Sequence, residues 1–256
     1  MTNQKPYPDW LYIVFPSVTM LLGWGLRGYI GGGPFGAMIP GAMVALSIAM
    51  LLNLSAKATS VLVVFAAVGI GIGGEMTYGQ TLGFLRNPDT VWWGTLGTTV
   101  KGSVWGLLGA VIFAMGLLYK KLSRRTIIVA YLFMLAGMFV GFKLINQPMV
   151  IYFSDPAKPR PESWAALLFG ALVLLVYLKT KISSNDYNLV SLFAIGGFVS
   201  GGLGFGLGGF WMVLGNQLSH DVIFDSWWKA MEFTFGMLLG AGLGLVVWLR
   251  RKDIEA

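Results

Sequence analysis

The chain has 256 residues, of which 56% are hydrophobic and 11% charged, with a formal net charge of +7. Soluble domains carry roughly 25% charged residues, so this sequence lacks the polar surface to fold in water and reads as an integral membrane protein. Its positive charge sits in short loops between apolar runs, as topology signals and not as a nucleic-acid surface, and the lack of cysteine excludes disulfides, thiolate metal sites, iron–sulfur clusters and cysteine nucleophiles.

The spacing of apolar runs predicts an all-α polytopic protein of about eight transmembrane helices. They cover about 10–29, 36–55, 60–83, 91–118, 126–146, 163–179, 188–217 and 226–249, each near the roughly 17–25 residues a spanning helix needs. The start, MTNQKPYPDW, has one lysine and runs into an apolar stretch too long for a signal peptide, so it reads as the approach to the first span. Gly23-Trp24-Gly25-Leu26-Arg27-Gly28 in that span matches GxGxxG, but no strand precedes it, and a nucleotide fingerprint is excluded. Span two ends on Asn53-Leu54-Ser55, a glycosylation sequon that the topology places on the cytoplasmic side, and is followed by Lys57.

Span three carries the sharpest feature. Glycines crowd residues 69–74 and are followed by Glu75, Tyr78 and Gln80. In a continuous helix Glu75 would lie about 22 Å from the inner end near Ser60, in the outer half of the bilayer. Lys101 of span four would lie about 15 Å deep, close to the midplane. A charge at that depth costs at least about 2.5–3.5 kcal/mol, so both need a partner, a wet cavity or neutralisation. The plain alternative is a structural salt bridge of Glu75 with Arg27 or Lys101.

Lys143 ends span five, ahead of Asn146 and Gln147, and snorkelling to the interface is its plain alternative. The loop after it, with Asp155, Lys158, Arg160 and Glu162, reads as solvated chain or as a cap over a cavity. Span seven has a second glycine-dense segment at 201–209, then Trp211, Asn216, Gln217, His220 and Asp221. Span eight opens after Asp225 with Trp227, Trp228, Lys229 and Glu232.

Loops after the even-numbered spans carry most of the lysine and arginine, including Lys120, Lys121, Arg124, Arg125, Lys179, Lys181 and Arg250 to Lys252. The positive-inside rule therefore puts both termini in the cytoplasm and the protein in the plasma (inner, cytoplasmic) membrane. Tryptophans at span ends, among them Trp10, Trp92, Trp93, Trp164, Trp227, Trp228 and Trp248, read as interfacial anchors.

An internal duplication is also visible. Gly74 and Trp92-Trp93 recur at one constant offset as Gly209 and Trp227-Trp228, and Gly25-Leu26-Arg27 resembles Gly141-Phe142-Lys143. The single integral membrane domain, residues 1–256, is thus expected to hold two parallel four-helix repeats, about 10–120 and 126–250. Glycines four apart, such as Gly102 and Gly106 or Gly197 and Gly201, suit close helix packing and also oligomerisation. Because each interior glycine weakens a helix by roughly 0.8–1 kcal/mol, spans three and seven are candidates for broken helix.

These patterns suggest a small-molecule transporter or permease with an outward-facing polar site for an anionic or polar solute. The expected solute-binding residues are Arg27, Glu75, Tyr78, Gln80, Lys101, Lys143, Trp211, Asn216 and Gln217, with Glu75 and Glu232 as ion-coupling carboxylates. A membrane enzyme acting on a lipid-linked or small substrate, using His220, Asp221 and Asp225 as acid or base, is a second reading, and a structural subunit a third. The expected partners are the lipid bilayer and a small molecule or ion. No cofactor, metal or nucleic acid is expected.

Overall fold

The computed structural model describes residues 7–76, 78–155, 157–218 and 227–255. Its helices are α1 (Leu11–Ile30), α2 (Gly33–Leu51), α3 (Ala56–Gly73), the short α4 (Gly79–Gly83), α5 (Val91–Leu117), α6 (Arg124–Gly141), α7 (Trp164–Lys179), α8 (Ser184–Gln217) and α9 (Trp227–Glu255). Among the described residues no strand occurs. Seven helices are long and apolar enough to cross a membrane, and α7 is a shorter apolar helix of 16 residues. This is the architecture of a polytopic membrane protein.

Local chemistry sets the helix ends. Ser55, Ser123 and Ser183 each accept a hydrogen bond from a first-turn backbone N–H, starting α3, α6 and α8. Between α1 and α2 the chain turns through Gly31 at φ 142° and Gly33 at φ 73°, conformations a side chain rarely adopts, and Pro34 then enters the first turn of α2.

Six long helices close a ring, each packed on the next in the order α1, α2, α3, α5, α8, α9 and back to α1. The α6–α7 hairpin lies outside this ring and leans on it through α7 against α5. The seams are made of glycine. A Cβ on Gly102 or Gly106 would strike the backbone carbonyl of Gly201 or Gly197 where α5 crosses α8. Along α9, Gly236, Gly240 and Gly244 meet Trp24 and the carbonyls of Pro16 and Tyr12 on α1. The glycine pairs that suggested oligomerisation are therefore engaged within one chain.

The outward faces are apolar, as hydrocarbon requires. Val14, Val18, Leu22 and Leu26 form an exposed stripe on α1, and Ile128, Leu132, Leu135 and Phe139 do so on α6.

The two candidates for broken helix differ, and the expectation for span seven changes. Span three ends as helix at Gly73, leaves helical geometry through Gly74, Glu75 and Met76, and resumes as α4 only at Gly79. Span seven is one unbroken helix of 34 residues, because its glycines are enclosed by α5 and α9 and hold a straight contact. Helix neighbours also differ between the halves: α2 packs broadly on α3, whereas its counterpart α7 has only a slight contact with α8.

Candidate functional site

The ring is filled, at the end away from the basic loops, by an aromatic chamber around one arginine. Arg27, near the end of α1, is 4% exposed. Its guanidinium lies 4.6 Å from the ring centre of Trp24, 5.4 Å from Tyr78 and 5.6 Å from Trp105. Phe205 of α8 and Phe235 of α9 stack at 4.0 Å and close the chamber below, in edge and tilted contact with Trp105. Two small residues create the room: a Cβ on Gly73 would strike the Trp105 indole, and one on Gly236 would strike Trp24.

Glu232 supplies the countercharge. Its Oε1 accepts hydrogen bonds from the Tyr78 hydroxyl at 2.9 Å and from Trp228 Nε1 at 3.2 Å. Arg27 Nη1 stands 3.8 Å from the same oxygen, an ion pair too long for a hydrogen bond. Arg27 Nε and Nη1 and Trp24 Nε1 are buried without hydrogen-bond partners. Each cation–π contact of a desolvated arginine is worth up to about 2 kcal/mol, yet each orphaned donor costs about 1–3 kcal/mol. The aromatic faces thus hold the charge while its N–H edge is left unsatisfied.

Tyr78 reaches this chamber because of the break after α3. It immediately precedes α4, and its ring lies 5.1 Å from Phe205 and 5.6 Å from Trp228. The sequence places Tyr78 on one helical face with Glu75, but the break separates their fates. Glu75 is exposed; its backbone oxygen accepts a bond from Ser163. The chain stays helical through Gly73, so what changes is the direction of the Glu75 side chain, which leaves the bundle where α3 ends.

Lys101 belongs to a second buried cluster. Its Nζ lies 2.5 Å from Glu162 Oε1 and donates to Thr81 Oγ1 at 2.8 Å, while Glu162 Oε2 accepts from the backbone N–H of Phe153 at 2.7 Å. Thr81 Oγ1 also donates to the Phe153 carbonyl. The partner of Lys101 is therefore a carboxylate from the loop between α6 and α7, which is tied down as a strap and does not float as solvated chain. Arg27 and Lys101 thus pair with Glu232 and Glu162, and neither pairs with Glu75.

The other candidates are dispersed. Lys143 is exposed on a π-helical turn (Phe142–Asn146), with its Nζ 5.8 Å from the Phe139 ring. Gln80 is partly buried, with its Oε1 unpartnered. Trp211 and Gln217 line a groove of about 520 Å³ with Leu207, Phe210, Leu214 and Met237, on the outer surface of α8 and α9. Trp211 Nε1 donates there to Thr234. The side chain of Asn216, together with His220, Asp221 and Asp225, lies outside the described residues.

Two chamber residues, Trp105 and Trp228, were not expected, nor was the partner role of Glu162 in the second cluster. Trp105 is one helical turn beyond Lys101 in mid-span, a position that an interfacial anchor does not take. Trp228 stands four residues before Glu232, so the two share a helical face, a spacing visible in the sequence. Nothing local marks Glu162, whose role depends on a loop folding back over α5. No protein-family model, curated protein or solved structure matches this chain.

Proposed function

We propose that the chain is a small-molecule transport protein whose solute-binding residues are Arg27, Tyr78 and Glu232, and that its solute is anionic or strongly polar. The observation that carries this reading is the cation with two buried, unpartnered N–H donors. A purely structural arginine at this depth would be expected to spend those donors, since leaving them bare is costly in low dielectric. A buried charge within an apolar span, paired here only at 3.8 Å and with donors left open, is a functional feature by default.

In this reading the chamber is an occluded site. Arg27, Tyr78 and Glu232 are all buried, so the solute enters by displacement of chain. The piece that moves is the break after α3 together with α4, because it is short, carries Tyr78, and touches the end facing away from the basic loops. Non-helical backbone at membrane depth is tolerated where it lines such a site. The protein resides in the cytoplasmic membrane with both termini inside, and the chamber lies toward the outside.

The test is a thermal-shift screen of purified protein against small anions, sugars and amino acids, followed by uptake of each stabilising solute into proteoliposomes. The expected result is uptake that Arg27→Gln abolishes and Tyr78→Phe, which keeps the ring, reduces about tenfold or more, the loss of a charge-assisted hydrogen bond. Uptake indifferent to both substitutions overturns the site. Chemical turnover of the solute in detergent, without a sealed compartment, favours the enzyme reading instead.

A further inference from the structure

The charge count of the chamber specifies more than polarity. The groups facing Glu232 can be enumerated by element. From α1 comes Arg27, and from the start of α4 comes Tyr78. Helix α2 carries no charged residue, and the Lys101 ammonium of α5 is engaged by Glu162. The described part of α8 has its one acidic residue, Asp186, at the far end beside Lys121. On α9 itself, Lys229 lies 3.8 Å over the Tyr29 ring, and Arg250, Arg251, Lys252 and Asp253 belong to the opposite end. Glu75, after α3, is exposed and outside the chamber. Among the described residues the chamber therefore holds one positive and one negative charge, Arg27 and Glu232, which balance.

The pair is also arranged to come apart. Glu232 is gripped by two neutral donors, Tyr78 and Trp228, and not by a hydrogen bond from Arg27. An arriving carboxylate can take the bare N–H groups of Arg27 without breaking any existing bond to Glu232. It would, however, leave two carboxylates against one guanidinium in a buried space. Two like charges at close range do not both stay ionised in such a site. A proton on Glu232 restores neutrality, and the protonated group still accepts through Oε1 from Tyr78 and Trp228.

We propose that the Arg27–Glu232 pair binds a small monovalent carboxylate together with one proton, Arg27 taking the anion and Glu232 the proton, so that the loaded site is neutral. This rests on the transport reading above and gives it a solute class and a coupling ion. The step is a binding equilibrium: one anion and one proton enter, no covalent bond is made or broken, and no oxidant or reductant is needed. A zwitterion such as an amino acid would also leave the charge unchanged without a proton. Its ammonium would have to be met by Glu232 Oε2, since Oε1 already accepts two donors, and L-alanine tests that alternative directly.

The test uses the intact protein in detergent, titrated with sodium acetate, L-lactate and benzoate, with L-alanine as the zwitterionic comparison. Binding is read by thermal shift and by emission of the chamber tryptophans. In the wild type the apparent Kd for the carboxylates rises about tenfold per pH unit on the alkaline side, the signature of one linked proton. Glu232→Gln, which is neutral at all pH, binds at least as tightly as the wild type at low pH and loses the slope. His220→Asn keeps the slope, and Arg27→Gln binds none of the three.

A flat profile in the wild type, a slope retained by Glu232→Gln, or a preference for alanine overturns the coupling. If no carboxylate binds the wild type or Glu232→Gln, the solute class is wrong; Arg27-dependent uptake of another solute would then leave the transport reading standing. If a carboxylate binds with the predicted slope but is not taken up by proteoliposomes, the transport reading fails and the paired site remains.

Discussion

At the scale of single residues, buried charge behaves according to its partner and not its depth. Lys101 and Glu162 are each almost wholly buried and in contact. Removing one side leaves the other charge uncompensated, at a cost of about 3–5 kcal/mol. Lys101→Met is therefore expected to lower the thermal midpoint in detergent sharply. Lys101→Met combined with Glu162→Gln should recover most of the loss, because glutamine still accepts from Phe153 N–H. A double variant no better than the single one would mean that the loss does not come from an uncompensated Glu162 charge. The sequence singled out Lys101, Arg27, Tyr78 and Glu232, and all four are buried, since polar groups within apolar runs stand out from their background. It paired none of them, because partners come from segments up to 205 residues apart and no local periodicity reports that.

At the scale of elements, glycine has two separable jobs. Gly106 sits where α5 meets α8, and a Cβ there would strike the Gly197 carbonyl. Gly106→Ala should cost about 1–3 kcal/mol by overpacking, against a gain of roughly 0.8–1 kcal/mol in helix propensity. Gly28, in α1 with nothing within 4 Å of its would-be Cβ, carries the opposite expectation, and Gly28→Ala should leave stability equal or slightly raised. Thermal unfolding of both variants decides it; equal effects would show that the seam is not tight. Composition made spans three and seven look alike as glycine-dense segments. Only packing separates them: α8 is clasped between α5 and α9 and stays helical, whereas α3 ends at Gly73, where the Trp105 indole occupies the space a side chain would need.

For the molecule as a whole, orientation is the testable quantity. The absence of cysteine allows single cysteines to be placed in a clean background. Lys57→Cys and Lys181→Cys should resist a membrane-impermeant maleimide in intact cells and react after permeabilisation, whereas Pro88→Cys and Lys158→Cys should react at once. The reverse pattern would invert the topology and turn the chamber toward the cytoplasm. Apolar length and loop charge settled the membrane class, the all-helical composition and the approximate span limits from sequence alone, because those properties depend on the solvent each residue must meet and are local. The ring of six helices, the outlying α6–α7 hairpin, the strap held by Glu162 and the arginine chamber were decided by tertiary structure. They arise from close approach between distant segments, where glycine seams set the distances and buried charges choose among partners, and neither is written in any one stretch of chain.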